Sequence, residues 1–409
     1  MKIALLGYGK EGQSAEKYFK KDNEIKIFEN FTTEELKNFD LSSFDLVMRS
    51  PSVHPMGKNW SSVTKYFFEH CPCPIIGVTG TKGKGTTCSF ISSLLETLGH
   101  KVWLVGNIGI PSLDILDDIE PDDVVVYELS SFQLWDLEQS PHIAVILRIE
   151  PDHLNIHDDY KDYVNAKANL VKHQTKDDYC IYYGDNLDSA KIANYSKGRT
   201  IEYPSQKERK IIDEVLKSVV IPGAHNRENA EAALTAVACF YGQKLSDFIN
   251  SHTTLVKKGL AGFKGLPHRL EFVRELKNVK YYDDNFSTTV PSTRVAIDAF
   301  PENNVILIAG GRDKTNNEDL PEIAQMFISS ENVYKVILIG ESGHAISEQF
   351  ESAKFETAES LKEAVEKAKK IAENTVSSIV LMSPAAASFD MFENVYDRGA
   401  KFQKLIKDL

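Results

Sequence analysis

The chain has 409 residues, enough for two or three domains of ordinary size. With 42% hydrophobic and 26% charged residues it has the composition of a packed globular protein, and a net charge of −12 leaves no basic excess for nucleic acid. No apolar run reaches the roughly 18 residues of a membrane span, and the five cysteines (71, 73, 88, 180 and 239), at no zinc-site spacing, point to free thiols in a reducing cytosol.

In chain order, IALLG (3–7) reads as a buried strand, ended by glycines and charges that mark a loop rather than a signal peptide. That loop, GYGKEG from Gly7 to Gly12, fits G-x-G-x-x-G, and Glu29 ends the next strand, IKIF (25–28), about 20 residues on. Taken alone this is a dinucleotide-binding fingerprint and implies a nicotinamide-dependent oxidoreductase. Against it, DLVMRS (45–50) is followed by the Pro-rich CPCP (71–74), which reads as a linker. The unit so closed lacks the second half of a full dinucleotide fold.

The strand PIIGVTG (74–80) then leads into GVTGTKGKGTTC (77–88) and the helix SFISSLLETLG (89–99). Glycines between a strand and a helix turn backbone N–H groups toward an anion, and the helix N-terminus adds its free donors and positive dipole end. Gly80, Thr81, Lys82, Gly83, Lys84, Gly85, Thr86 and Thr87 therefore read as a phosphate cradle for ATP, with Lys84 the charge for the outer phosphates. The loop departs from the common P-loop, because Lys84 is followed by Gly85 where Ser or Thr is usual. Thr86 is thus the nearest hydroxyl for magnesium, with Thr87 next.

Further on, VWLVG (102–106) precedes VVVYEL (124–129), which puts Glu128 at a strand end, where ligands gather in open α/β sheets and magnesium finds a carboxylate. AVILRI (144–149) ends in Glu150, Asp152, His153 and His157. His153 either contacts a metal or phosphate or bonds to loop backbone. Lys167, in DYVNAKANLVK, reads by itself as a surface lysine on a helix. After YCIYYG (179–184) and the helix NRENAEAALTAVACFYG (226–242), the Gly-rich GLAGFKGLPHR (259–269) marks a second boundary. The strands VILIAGG (305–311), KVILIG (335–340) and SIVLMS (378–383), with the helix SLKEAVEKAKKIAEN (360–374), make a third unit. Continuous apolar runs alternating with amphipathic stretches predict an α/β fold of doubly wound parallel sheets. The expected domains are 1–70, 71–266 and 267–409.

GVTGTKGKGTT, GNIGIP (106–111), ELSSFQL (128–134), EPDHLNIH (150–157), AK (166–167), GAHNRENAEAA (223–233), PHRLE (267–271) and MSPAAASFDMF (382–392) occur in this order over essentially the whole chain. Together they resemble the Mur ligases of peptidoglycan synthesis, and SSFQL and SPAAASFD look most like the members that add D-glutamate to UDP-N-acetylmuramoyl-L-alanine. The resemblance implies a Rossmann-like N-terminal domain for the UDP-substrate, a central P-loop-type ATPase domain and a Rossmann-like C-terminal domain for the amino acid. It implies a cytoplasmic, monomeric ligase whose partners are small molecules. The γ-phosphate of ATP passes to a substrate carboxylate, and an amine attacks the acyl phosphate.

Residue by residue, the resemblance implies that Lys84 stabilises the β- and γ-phosphates. Thr86 and Glu128 hold one Mg²⁺; His153 and a carbamylated Lys167 hold a second. Asn226 and Arg269 contact the nucleotide and Asp284 its ribose. Lys10 and Glu11 approach the diphosphate of the UDP-substrate, Glu29 lies near uracil, and Ser52, Asn107 and His153 line the sugar path. Thr288, Lys314, Ser388 and Phe389 hold D-glutamate. Two departures stand out. The Lys84-Gly85-Thr86 order resembles folylpolyglutamate synthases of the same superfamily, although those enzymes begin close to the ATP loop. The family's Asn-Asp-Ser-Lys-Ala-Thr reads Asp-Asp-Asn-Phe-Ser-Thr at 283–288, so Phe286 replaces a lysine near the reaction centre. Gly85 and Phe286 leave a third alternative, an ATP-binding relative without activity.

Overall fold

The computed structural model describes residues 1–313 and 318–409; Lys314, expected at the amino acid, lies outside the described residues. The chain forms two compact units, Met1–Val219 with Arg227–Phe263, and Val220–Asn226 with Lys264–Leu409. The first unit holds two sheets and the second holds one.

The first sheet has the order β2-β1-β3-β4, from β1 (Lys2–Leu6), β2 (Glu24–Phe28), β3 (Leu46–Arg49) and β4 (Trp60–Ser62), all parallel. The second has the order β10-β9-β8-β5-β7-β6, from β5 (Ile75–Thr79), β6 (Val102–Gly106), β7 (Val124–Glu128), β8 (Ile143–Ile146), β9 (Tyr179–Tyr183) and β10 (Arg199–Tyr203), again parallel. The third, in the second unit, runs β11-β12-β16-β13-β14-β15, from β11 (Glu271–Leu276), β12 (Val279–Asp283), β13 (Asn304–Gly310), β14 (Val333–Ile339), β15 (Phe355–Thr357) and β16 (Ser378–Met382). Only β11 pairs antiparallel there. This is the α/β architecture with parallel sheets that the sequence predicts.

The strands that read as continuous apolar runs are those covered on both faces: β5, β7, β8 and β16 are buried at every residue. Burial on two faces removes the period-2 alternation that a one-sided sheet would show.

In each sheet the strand order reverses once, next to β1, β5 and β13 respectively. From β1 the chain goes to β2 on one side and β3 on the other; from β5, to β7 and then β8; from β13, to β14 and then β16. The reversal opens a crevice outside the carboxyl ends of the two strands that flank it, which is where ligands bind in such sheets. The crevices fall at Gly7–Gly12 with Ser50–Val53, at Gly80–Gly83 with 147–153, and at Gly310–Arg312 with 383–389.

Candidate active site

The central crevice is built on the loop between β5 and the helix Lys84–Thr97. Gly83 caps that helix at φ +85°, and a Cβ there would lie 2.5 Å from Asn229 Oδ1, so the turn requires glycine. The first-turn N–H groups have no intrahelical acceptors and stand ready for an anion. Thr81 fixes the loop. Its hydroxyl donates to the Glu150 carbonyl (3.0 Å), accepts from the Glu150 amide (2.8 Å) and lies 2.8 Å from the Tyr163 hydroxyl. Lys82 is exposed, 3.7 Å from Asp152.

Two amines converge on one carbonyl. Lys84 Nζ donates to the Gly80 and Thr81 oxygens at 3.0 Å each, and Lys167 Nζ donates to the same Gly80 oxygen at 2.9 Å. Lys167 is 1% exposed, which corrects its reading as a surface lysine. The physical reason is periodicity: in the helix Tyr160–Lys172 the buried residues include Tyr163, Lys167, Leu170 and Val171, so the lysine sits in the apolar stripe. Its Nζ also lies over the Tyr163 ring, 4.6 Å from the centroid. Burial pushes the Lys167 amine well below its ordinary value, and the charge of Lys84 pushes the same way. Burial lowers Lys84 too, opposed by Glu128.

Glu128 ends β7 as expected and is buried, 3% exposed. Its Oε1 accepts from Asn107 Nδ2 at 3.1 Å, while Oε2 is buried with no hydrogen-bond partner among the described residues. A carboxylate oxygen without a donor is costly, so this atom is aimed at a cation or donor yet to arrive. Asn107, expected on the sugar path, is here the orienting partner of Glu128. Thr86 is partly exposed on the first turn, whereas Thr87 is fully buried with its hydroxyl unpartnered.

His153 sits in the left-handed region at φ +55°, its ring against Phe132 with centroids 5.0 Å apart and its Nε2 3.7 Å from Asp152 Oδ2. Burial lowers its pKa and Asp152 opposes that. Among the described residues His153 makes no hydrogen bond to Lys167. His157 is committed to the scaffold: Nδ1 lies 2.6 Å from Asp162 and Nε2 2.8 Å from Ser131.

In the first crevice Gly7 has φ +91°, and a Cβ there would strike the Ser50 hydroxyl. Lys10 is exposed at the first residue of its helix, Ser52 is exposed with its hydroxyl 3.1 Å from that of Ser50, and Glu29 is exposed just past β2. Glu11 is turned away from solvent. It accepts from Gln133 Nε2 at 2.6 Å, its other oxygen is buried without a partner, and burial raises its pKa. Sequence reasoning missed the joint beneath. Fully buried Arg49, at the end of β3, pairs with Asp136 through both Nε and Nη2 and donates to the Ser50, Val53 and Phe132 carbonyls. It ties the first sheet to the segment after β7.

In the second unit, Asp284 is buried just past β12. It accepts from the Leu270 amide (3.1 Å) and the Ser383 hydroxyl (2.8 Å), and burial raises its carboxyl to about 7. Asn226 Nδ2 donates to the Pro222 carbonyl at 2.6 Å. Arg269 is exposed, its guanidinium 5.6 Å from the centroid of the Phe286 ring. Thr288 is partly exposed, Ser388 has a buried hydroxyl without a hydrogen-bond partner among the described residues, and Phe389 is 70% exposed. Sequence reasoning also missed Arg398, fully buried in the helix Val395–Lys407. It donates to Asn285 and to the Ala386 and Ala387 carbonyls (3.1 Å each), and so joins the loops after β12 and β16.

The Mur ligase middle domain family matches residues 78–237, and the Mur ligase glutamate ligase domain family matches 268–386. The chain is 31% identical over 462 aligned positions to the UDP-N-acetylmuramoylalanine--D-glutamate ligase of Clostridium tetani, covering all of this chain and 97% of that protein. It is 35% identical to the ligase of the same name from Clostridium kluyveri, over 90% of this chain and 84% of that one. The crystal structure of MurF ligase from Thermotoga maritima in complex with ADP shares the fold, with a TM-score of 0.60 at 16% identity, covering 100% of this chain and 95% of that one. With two matching domain families and relatives aligned along its whole length, the chain belongs to the Mur ligase family.

Proposed function

We propose that this chain is an ATP-dependent ligase that joins D-glutamate to UDP-N-acetylmuramoyl-L-alanine through an acyl phosphate. The observation that carries the reading is the central crevice: the Glu128 oxygen that has no hydrogen-bond partner among the described residues stands near the amines of Lys84 and buried Lys167, both drawn to the Gly80 carbonyl, at the mouth of a helix N-terminus. The names of the Clostridium relatives support the substrates, and the ADP of the Thermotoga neighbour supports the nucleotide.

On this reading residues 1–70 take the UDP-substrate, 71–266 the ATP and 267–409 the amino acid, in a monomeric cytoplasmic enzyme; no helix among the described residues is long and apolar enough to cross a membrane. The loop 80–87 and Lys84 bind the phosphates. Thr86, with Glu128, holds one Mg²⁺, and His153 with carbamylated Lys167 holds the other. The donor set fits: Glu128 offers a carboxylate oxygen without a hydrogen-bond partner among the described residues, and burial of Lys167 favours the neutral amine that a carbamate requires. Bound Mg²⁺ supplies charge neutralisation on the phosphate oxygens.

The chain's own groups orient the reactants. Asn107 keeps Glu128 turned inward, and Thr81 holds the loops after β5 and β8 together. Asn226, Arg269 and Asp284 act on the nucleotide; Lys10, Glu11, Glu29, Ser52 and Asn107 on the UDP-substrate; Thr288, Lys314, Ser388 and Phe389 on the amino acid. The substrate carboxylate takes the γ-phosphoryl group and ADP leaves. The amine then forms the C–N bond, loses a proton and expels inorganic phosphate.

The test is phosphate release from ATP with UDP-N-acetylmuramoyl-L-alanine, offering amino acids singly. Release with D-glutamate and a product heavier by one glutamyl residue is the expected result. Release only with another amino acid would move the specificity, and no release would overturn the reading.

A further inference from the structure

Arg269 is displayed by a strained segment. His268 and Leu270, on either side of it, both have left-handed backbones, at φ +59° and +46°. Bulky residues avoid that region, and such strain persists only where the surroundings impose it. Here they do. The His268 carbonyl accepts from the Phe286 amide (3.2 Å), and the Leu270 amide donates to Asp284 Oδ1 (3.1 Å), so the segment is tied to the loop after β12 on both sides of Arg269. Between those ties the exposed guanidinium lies over the Phe286 ring, 5.6 Å from its centroid. The ring is itself held. Tyr396 meets it edge-on at 5.2 Å and 79°, and the His268 ring lies 5.8 Å away.

We infer that Phe286 is a positioning residue: its ring face holds the Arg269 guanidinium in the orientation that meets the nucleotide phosphates. The inference rests on the nucleotide reading of Arg269 and adds to it a role for the residue that stands where the resemblance places a lysine. A lysine there would repel Arg269; an aromatic face attracts and flattens a guanidinium while leaving its N–H edge free to donate.

The test is a double-mutant cycle on the full chain, with the dissociation constant for Mg·ADP measured by calorimetry. Phe286→Leu keeps apolar bulk and removes the π face, and is expected to weaken ADP binding about two- to fivefold. Phe286→Tyr restores the face and the wild-type affinity. In an Arg269→Ala background Phe286→Leu adds nothing, because the group it holds is gone. Should Phe286→Leu fail to fold, Phe286→Met takes its place. Equal affinities for wild type and Phe286→Leu, or the same loss with and without Arg269, overturn the positioning role. Loss of affinity on Arg269→Ala without coupling to Phe286 keeps the nucleotide reading and still overturns the inference. No ADP binding by the wild type overturns the nucleotide reading itself.

Discussion

Replacing Asp136 by Asn should destabilise the first unit by about 3 kcal/mol, at the low end of the cost of stranding one member of a buried ion pair. The guanidinium of Arg49 has a side chain 0% exposed, and that of Asp136 is 11% exposed, so solvent cannot compensate for the lost charge. Arg49 would keep three carbonyl acceptors, at 3.1 to 3.3 Å, but no hydrogen-bonded carboxylate. At about 1.4 kcal/mol per decade, 3 kcal/mol is a change of roughly 150-fold in the unfolding equilibrium. All three tryptophans, Trp60, Trp103 and Trp135, lie in the first unit, so urea unfolding followed by tryptophan fluorescence reports on that unit without the second. The double variant Arg49→Met with Asp136→Leu should recover most of the loss, since an apolar pair of similar volume avoids the stranded charge. A loss under 1 kcal/mol for Asp136→Asn, or a double variant as unstable as the single one, would refute the argument.

Glu128→Gln should cut phosphate release at least a hundredfold with a far smaller effect on the urea midpoint, since Gln keeps the oxygen that accepts from Asn107 and the atom it alters has no hydrogen-bond partner among the described residues. Thr86→Val should remove Mg²⁺-dependent turnover and Thr87→Val lose less, read as initial rates against Mg²⁺ concentration; equal, small effects would refute the assignment of Thr86. The second unit should lose stability as pH rises from about 4 to 7. Burial raises the folded-state pKa of Asp284 to about 7, so the folded chain binds a proton that the unfolded chain has lost, and the slope is negative. His268, raised by Asp283, adds stability below pH 6.5 that is lost as pH rises through its folded pKa. Denaturation across that range should show the fall, flattened in Asp284→Asn.

Sequence legibility followed burial. The strands on both sides of each crevice, such as β5 and β8, are apolar at nearly every position because helices or loops cover both faces, and they read plainly. The strands that did not read are mostly edges. β10 is largely exposed and polar, β11 (EFVREL) mixes apolar and charged residues and buries none of them fully, and β4 and β15 have three residues each. Edge strands need little apolar pattern, so periodicity is silent there. Among site residues, the glycine loop and Glu128 were legible because phosphate cradles and strand-end carboxylates leave local signatures. Arg49, Asp136 and Arg398 were not. Each is a charged residue of ordinary local context whose partner lies 87 or 113 residues away, and burial of a charge by a distant partner has no local pattern. Lys167 lay between the two cases. Its place in the stripe with Tyr163, Leu170 and Val171 was readable, but a lysine in an apolar stripe is outweighed by the habit of lysines to be exposed.

The same burial makes Lys167 the pivot of the charge balance at the central crevice. Two amines that share the Gly80 carbonyl repel each other, and both lose hydration. A protonated Lys167 would make the place Lys84 holds for a phosphate less favourable to a second cation, and a neutral one would leave the Glu128 oxygen without a counter-charge nearby except Lys84. Carbamylation would remove the first conflict and leave the Glu128 oxygen to a bound cation. It consumes the neutral amine that burial already favours and turns a competitor of Lys84 into an oxygen donor of opposite sign. Carbon-13 NMR of the chain equilibrated with labelled bicarbonate should therefore show a carbamate resonance that Lys167→Met lacks, and Lys167→Met should lose turnover while keeping its urea midpoint. A wild-type spectrum without that resonance, in protein active for phosphate release, would mean that the buried amine itself serves, and the charge argument would fall.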